Sequence, residues 1–202
     1  MMKIWFRKEK TVKKEIRIMG IDDAPFSKTK KGKVLVLGTV HRGGEALEGV
    51  VSTHVDVDGE DATAKIIDMI NNTKHKDQLQ CIMLDGIAVG GFNVVDIREV
   101  SRRTKLPVIV IIRYRPNLER VKAALKNVPN YKKRWRIIKK AGKIQECKVG
   151  DGAIYFQNKG ITPKKVREII EISVSTGHMP EPIRTAHLIA SGVVEGESKG
   201  RA

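Results

Sequence analysis

Two segments of the sequence are almost wholly apolar, LQCIMLDG (79–86) and LPVIVIIRY (106–114). Strands with this composition are buried on both faces, and they occur in parallel sheets that helices cover on both sides. A helical period follows each of them, in NVVDIREVSRRT (93–104) and NLERVKAALKNV (117–128). The alternating order therefore predicts a parallel βαβα unit with helices packed against the sheet.

Three earlier segments are rich in β-branched and alternating apolar residues: EIRIMGID (15–22), KVLVLGTV (33–40) and EGVVSTHVDV (48–57). Glycine-containing connections join them, which predicts an antiparallel meander. A helical pattern follows in EDATAKIIDMINNT (60–73), opened by an acidic pair that suits a helix N-terminus. Three antiparallel strands followed by parallel βαβα form the strand plan of a ribonuclease H-like fold. We therefore predict an α/β protein with a mixed sheet and helices on both faces.

The C-terminal part contains two short strands, KIQECKV (143–149) and GAIYFQN (152–158). A helix begins after them, where Thr162 is a good N-cap and Pro163 a good first helical residue. A last helix is predicted over PEPIRTAHLIASGVV (180–194).

The chain has 202 residues and no proline- or glycine-rich linker, which fits one domain. We predict a basic lead-in at 1–14, either an edge strand or a mobile arm, and a single domain over 15–202. The lead-in lacks the apolar segment of a secretory signal, and no apolar stretch reaches the length of a membrane span. Cys81 and Cys147 lack CxxC spacing and are expected to be buried thiols in a reducing cytosol. We expect a cytoplasmic protein without membrane contact.

The net charge is +16 and it is segregated along the chain. Basic residues dominate from 120 to 148, where Glu146 is the single acidic residue, and acidic residues gather between 45 and 61. A large positive field favours an anionic polymer as partner, so we predict contact with nucleic acid. The alternative is charge that serves solubility or heat adaptation.

No phosphate-binding GxxxxGK[ST] loop, HExxH, GxSxG or paired CxxC motif occurs in the sequence. What remains is a set of carboxylates at strand ends, and the topology makes the first and fourth strands neighbours. Asp22 and Asp85 should then meet, and such carboxylates raise each other's pKa unless a cation shares them. Asp58 or Asp56 ends the third strand. The sequence therefore predicts a Mg²⁺ or Mn²⁺ site that acts on a phosphodiester bond.

For any one of these aspartates taken alone, a turn or helix cap is the alternative role. Asp23 points opposite to Asp22 on an extended chain, and we expect it to support the turn toward Pro25. The choice between Asp56 and Asp58 stays open.

Cations near the predicted site point to a bound phosphate. Arg113 ends a buried parallel strand and should face the same crevice as Asp85, where it would hold the scissile phosphate. Lys159 precedes a helix N-terminus and is a second candidate for that role. For Arg113, solvation of a strand end is the alternative. The five histidines are scattered and predict no site of their own.

The run YKKRWRIIKK (131–140) places aromatic side chains among cations, and bases stack on such aromatics while lysines meet phosphates. The alternative is an amphipathic helix with its apolar side chains against the core. The predicted nucleic-acid contacts are Lys132, Lys133, Arg134, Trp135 and Arg136.

Four segments, GIDDAPF, LDGIAVGG, LPVIVIIR and PEPIRTAHLIA, resemble segments of endonuclease V in the same order. From about Glu15 onward the whole chain is similar to the archaeal endonuclease V-like family called endonuclease dU. The resemblance implies a ribonuclease H-like fold and a Mg²⁺-dependent nick near a deaminated base, uracil or hypoxanthine.

The resemblance also implies site residues. The metal carboxylates of endonuclease V fall on Asp22, Asp85 and Asp58, although the last is a glutamate in that family. Its lysine after the buried strand is replaced by Arg113, and its histidine before a later helix falls near Lys159. The proline- and aromatic-rich wedge of endonuclease V has no counterpart in VVSTHVDVDG (50–59), so recognition of inosine by that device is not expected.

The favoured function is a metal-dependent endonuclease acting on DNA or RNA. The alternative is a non-catalytic nucleic-acid-binding module on the same fold. Phosphotransfer on a small nucleotide is disfavoured by the missing phosphate loop.

Overall fold

The computed structural model describes residues 11–27 and 32–198 of the chain. Residues 1–10 of the predicted lead-in therefore lie outside the described residues. Within the described ranges, none of the helices combines the length and the apolar composition that a membrane crossing needs.

The predicted strands and helices occur in the predicted order, together with two short strands after the fourth that were not predicted. The strands are β1 (Arg17–Asp23), β2 (Lys33–Arg42), β3 (Ala46–Asp56), β4 (Cys81–Asp85), β5 (Ala88–Val89), β6 (Asn93–Val94), β7 (Val108–Ile112), β8 (Gln145–Val149) and β9 (Gly152–Lys159). The helices are α1 (Ala62–Asn71), α2 (Ile97–Thr104), α3 (Leu118–Leu125), α4 (Tyr131–Lys140), α5 (Pro163–Ser173) and α6 (Glu181–Glu195).

Seven strands form one mixed sheet in the order β3-β2-β1-β4-β7-β9-β8. β1, β2 and β3 pair in antiparallel fashion, whereas β1, β4 and β7 are parallel neighbours. The predicted meander and parallel βαβα unit are therefore confirmed. β9 and β8 extend the sheet as an antiparallel hairpin beyond β7, and β5 and β6 form a small separate hairpin.

Helices cover both faces of the sheet, as predicted. One face packs Met19 and Ile21 of β1 with the buried side chains of α1 and α2. The other face packs Ile18 of β1 with apolar side chains of α5 and α6. Cys81 and Cys147 are free and buried on this second face, as predicted.

α6 approaches β1 closely because β1 carries a glycine at the point of contact. A Cβ at Gly20 would overlap the backbone of Pro182 in the first turn of α6. The Thr39 hydroxyl of β2 donates to the Pro182 carbonyl at 2.6 Å and fixes the same turn. The start of α6 is thus held against the strand that carries Asp22.

Candidate functional site

Asp22 and Asp85 lie side by side at the same end of the sheet. β1 and β4 are parallel with Ile21 aligned to Leu84, so the next residue of each strand is an aspartate. Side chains alternate along a strand, and both aspartates therefore point to the face that α6 covers. Neighbouring strands are about 4.8 Å apart, which brings the two carboxylates within reach of one ion. Asp22 is 5% exposed.

The charged form of Asp85 is disfavoured by its surroundings. Burial, and then the charge of Asp22, raises the pKa of Asp85 to about 7. Arg113 and His187 oppose this rise, which places both cations in the electrostatic neighbourhood of Asp85. A cation bound beside Asp85 would favour its charged form and lower its pKa, so the site attracts a further cation.

His187 of α6 is the direct partner of Asp22. Its Nδ1 lies 2.9 Å from Asp22 Oδ2, and because a carboxylate only accepts, the imidazole donates this hydrogen bond. The hydrogen bond raises the pKa of His187, although its partial burial acts in the opposite direction. The other oxygen, Oδ1, accepts the backbone N–H of Asp23 at 2.9 Å.

Asp23 turns to the opposite face, as expected. Its Oδ2 accepts the backbone N–H of Gly90 at 2.9 Å, so it ties β1 to the β5–β6 hairpin. Burial and the neighbouring charge of Asp22 raise the pKa of Asp23 to about 6. The carboxylate supports a loop contact at this end of the sheet.

The side chain of Asp58 makes a local structural hydrogen bond. It follows β3 in a left-handed conformation with φ of 51°. Its Oδ1 accepts the backbone N–H of Phe92 at 2.7 Å. Asp56 is exposed. Across residues 11–27 and 32–198, no group of three or more His, Cys, Asp or Glu side chains is arranged to hold a metal ion together. The structure thus places Asp22 and Asp85 side by side, but Asp58 does not join them in a three-ligand cluster.

The structure separates the two predicted phosphate-binding cations. Arg113 directly follows β7 and lies near Asp85, as predicted. The expected placement of Lys159 at the same edge is wrong. β9 runs antiparallel to β7 and pairs Lys159 with Val108, so Lys159 is at the opposite end of the sheet.

Helix α4 has an exposed basic side and a partly buried apolar side. Lys132 and Arg136 are exposed, and Lys133 is exposed but paired with Glu60. Trp135 is half-buried in an apolar cluster around Ile138, with the ammonium of Lys122 5.9 Å from its ring centroid. The amphipathic alternative thus describes the apolar side of this helix.

Arg134 is a structural residue, so its prediction as a nucleic-acid contact is wrong. It is 3% exposed. Its guanidinium donates to the carbonyls of Asp58 at 2.7 Å, Gly59 at 2.7 Å and Phe92. It thereby joins α4 to two loops, one after β3 and one between β5 and β6.

His187 is the residue that sequence reasoning missed. The family histidine was assigned to the neighbourhood of Lys159, whereas the histidine beside the carboxylates comes from α6. A signal was present, because His187 lies four residues after Ile183 and three before Ala190, both buried. A histidine on the buried face of a helix needs a polar partner.

The arrangement is suited to a divalent cation and an anionic ligand. Mg²⁺ takes one or two carboxylates and keeps several waters or phosphate oxygens, so it does not need a third protein ligand. Asp22 and Asp85 fit this donor set, and Arg113 and His187 supply positive charge beside it.

Comparison with known proteins supports the resemblance noted in the sequence. A protein of Methanothermobacter thermautotrophicus, described as a UPF0215 protein, is 53% identical over 192 residues, covering 95% of this chain and 94% of that one. The crystal structure of an Archaeoglobus fulgidus protein of unknown function is 42% identical with a TM-score of 0.81, covering 90% of this chain and 99% of that one.

The fold extends to endonuclease V. The Ciona intestinalis enzyme, solved with a 24mer DNA containing an inosine followed by a ribo-adenosine, is 14% identical with a TM-score of 0.54. That match covers 85% of this chain and 82% of the other, and it confirms the ribonuclease H-like fold. A family model described as endonuclease dU matches residues 14–194. The chain therefore belongs to the endonuclease dU family.

Proposed function

We propose that this protein is a Mg²⁺-dependent endonuclease that cuts a phosphodiester bond of DNA or RNA. The observation that carries the proposal is the pair Asp22 and Asp85, set side by side on parallel strands with His187 and Arg113 around it. Two carboxylates beside two cations suit a metal ion that bridges the protein to a phosphate.

Asp22 and Asp85 would hold the cation, which supplies Lewis-acid activation of water and stabilises charge on the phosphate. His187 orients Asp22 through its Nδ1 hydrogen bond. The raised pKa of His187 keeps a positive charge at the site to higher pH than a free imidazole would. Arg113 attracts the phosphate and can form a bidentate contact with it.

The net charge of +16 supports a polyanionic substrate. We further propose that the cut is made beside a deaminated base, uracil or hypoxanthine. The family description supports this, as does the inosine-containing DNA bound to endonuclease V of Ciona intestinalis.

One observation keeps a second function in view. In the described part of the chain no group of three metal-ligating side chains is present, and the side chain of Asp58 is engaged by Phe92. A nucleic-acid-binding module without catalysis would have the same basic surface. Its affinity would fall steeply with salt and would not respond to Mg²⁺.

The test is incubation with labelled duplex DNA, single-stranded DNA and RNA, each carrying uracil, hypoxanthine or no lesion, with Mg²⁺ or with EDTA. Wild type should nick at least one substrate with Mg²⁺ alone. Asp85→Asn should reduce nicking to background while it keeps the native circular dichroism spectrum. The matched control is Asp77→Asn, which should nick as wild type does. Asp77 is exposed and precedes the N-terminal end of β4, whereas Asp85 is at its C-terminal end. Absence of nicking by folded wild type across this panel would favour the binding module.

A further inference from the structure

A cleft of about 600 Å³ opens beside the carboxylate pair. It is lined by the residues after β7, the start of β9, the loop before α6 and α6 itself, and we call it the β9–α6 cleft. Arg113 lines this cleft and also neighbours Asp85. Arg184 and Leu188 line it from α6, on either side of His187 in sequence. The cleft therefore adjoins the proposed active site through Arg113, and its volume is typical of a small-ligand pocket.

The β9–α6 cleft combines an apolar floor with fixed positive charge. Leu188 supplies apolar surface beside the buried Ile154. Arg184 is held by the buried carboxylate of Glu181, with Nε 2.9 Å and Nη2 2.7 Å from Oε2. A guanidinium carries five donors, more than this ion pair uses. Arg184 can therefore contact a second anion without losing its position.

Tyr114 lines the same cleft and is 78% exposed. Such exposure means that its ring contributes little to the core. The imidazole of His178, which also lines the cleft, lies 2.8 Å from Asp151 and directly against Gly152. The cleft thus presents one exposed aromatic ring and one imidazole held by a hydrogen bond.

We propose that the β9–α6 cleft binds one nucleotide of the substrate strand, adjacent to the cleaved phosphate. Its base stacks on Tyr114 over the apolar floor, and its phosphate lies against Arg184, next to the cleaved phosphate that Arg113 attracts. A nucleotide matches this surface because its base is flat and apolar on its faces while its phosphate is anionic. The inference rests on the proposed function, since that function places the cleaved phosphate at Asp22 and Asp85.

The test measures binding in an Asp85→Asn background, in which no strand is cut, by fluorescence anisotropy. One ligand is a single strand of about eight nucleotides, within the usual site size of such proteins, and the other is the same backbone without bases. Tyr114→Ala should raise the Kd for the base-bearing strand roughly fivefold to a hundredfold, the usual range for loss of base stacking. On the base-free backbone the change should stay below about twofold, because no base remains to stack.

Tyr114→Phe is the matched control, since it keeps the ring, and its Kd should stay within about twofold of the parent. An equal loss for both ligands, or no loss for either, would overturn the nucleotide subsite. The binding experiment and the nicking experiment can fail independently of each other. Nicking without any Tyr114 effect rejects the subsite alone, whereas a base-dependent Tyr114 effect without nicking retains the subsite and rejects the endonuclease.

Discussion

Replacing Asp85 by asparagine should make the metal-free protein more stable at neutral pH and inactive at the same time. The pKa of Asp85 rises from 3.8 to about 7 in the folded protein, because burial and Asp22 disfavour its charge. At about 1.4 kcal/mol per unit, the ionised carboxylate costs the folded state about 4 kcal/mol above pH 7. Asparagine has the same shape and no charge, so this cost disappears.

The sign of the pH dependence follows from proton binding. Well below pH 4 the carboxyl is protonated in both states and has no effect on the free energy of unfolding. Between about pH 4 and pH 7 the folded protein keeps a proton that the unfolded chain has released, so wild-type stability falls as pH rises. The advantage of Asp85→Asn should therefore be near zero at pH 4 and approach about 4 kcal/mol by pH 8.

The assay is urea denaturation with EDTA present, at several pH values between about 4 and 8. Asp77→Asn is the matched control, because this carboxylate is exposed and its replacement should leave the pH profile unchanged. A difference between Asp85→Asn and wild type that does not grow with pH, or a less stable variant at pH 8, would refute the electrostatic reasoning.

Three further predictions concern the elements that build the site. Gly20→Ala should destabilise the protein by about 1–3 kcal/mol in urea denaturation and reduce nicking, because the new Cβ overlaps the start of α6. Gly192→Ala, in open space on the same helix, should instead stabilise it by up to about 1 kcal/mol. Arg134→Met should lower the free energy of unfolding by about 2–4 kcal/mol in the same measurement, because several carbonyls lose their donor. Its control, Arg136→Met, replaces an exposed arginine and should change that free energy by less than about 0.5 kcal/mol. By NMR, His187 should titrate above 6.5 in wild type and at lower pH in Asp22→Asn, which lacks the charged partner. The stability that this pair contributes should be complete below pH 6.5 and should be lost as pH rises through the folded-state pKa of His187.

The sheet and the central carboxylate pair could be predicted because both depend on local patterns. Apolar runs mark buried parallel strands, and parallel strands bring residues that follow them to one edge. The proximity of Asp22 and Asp85 follows from this rule once β1 and β4 are neighbours, as they are in the structure.

Other parts of the site depend on tertiary information that these patterns lack. Lys159 was placed at the wrong end because the sequence of β9 does not state its direction relative to β7. His187 reaches Asp22 only because Gly20 lets α6 dock across β1, a contact between residues far apart in the chain. Arg134 resembled a surface cation, although its spacing of four residues from the buried Ile138 placed it on the inner side of α4.

The central claim is that Asp22 and Asp85 share a divalent cation, and Mn²⁺ titration followed by electron paramagnetic resonance of the free ion tests it most directly. Wild type at pH 8 should bind Mn²⁺ in competition with Mg²⁺, and Asp77→Asn should bind as tightly. Asp22→Asn and Asp85→Asn should each lose most of that binding. Failure of wild type to bind the ion, or undiminished binding by Asp85→Asn, would contradict the account.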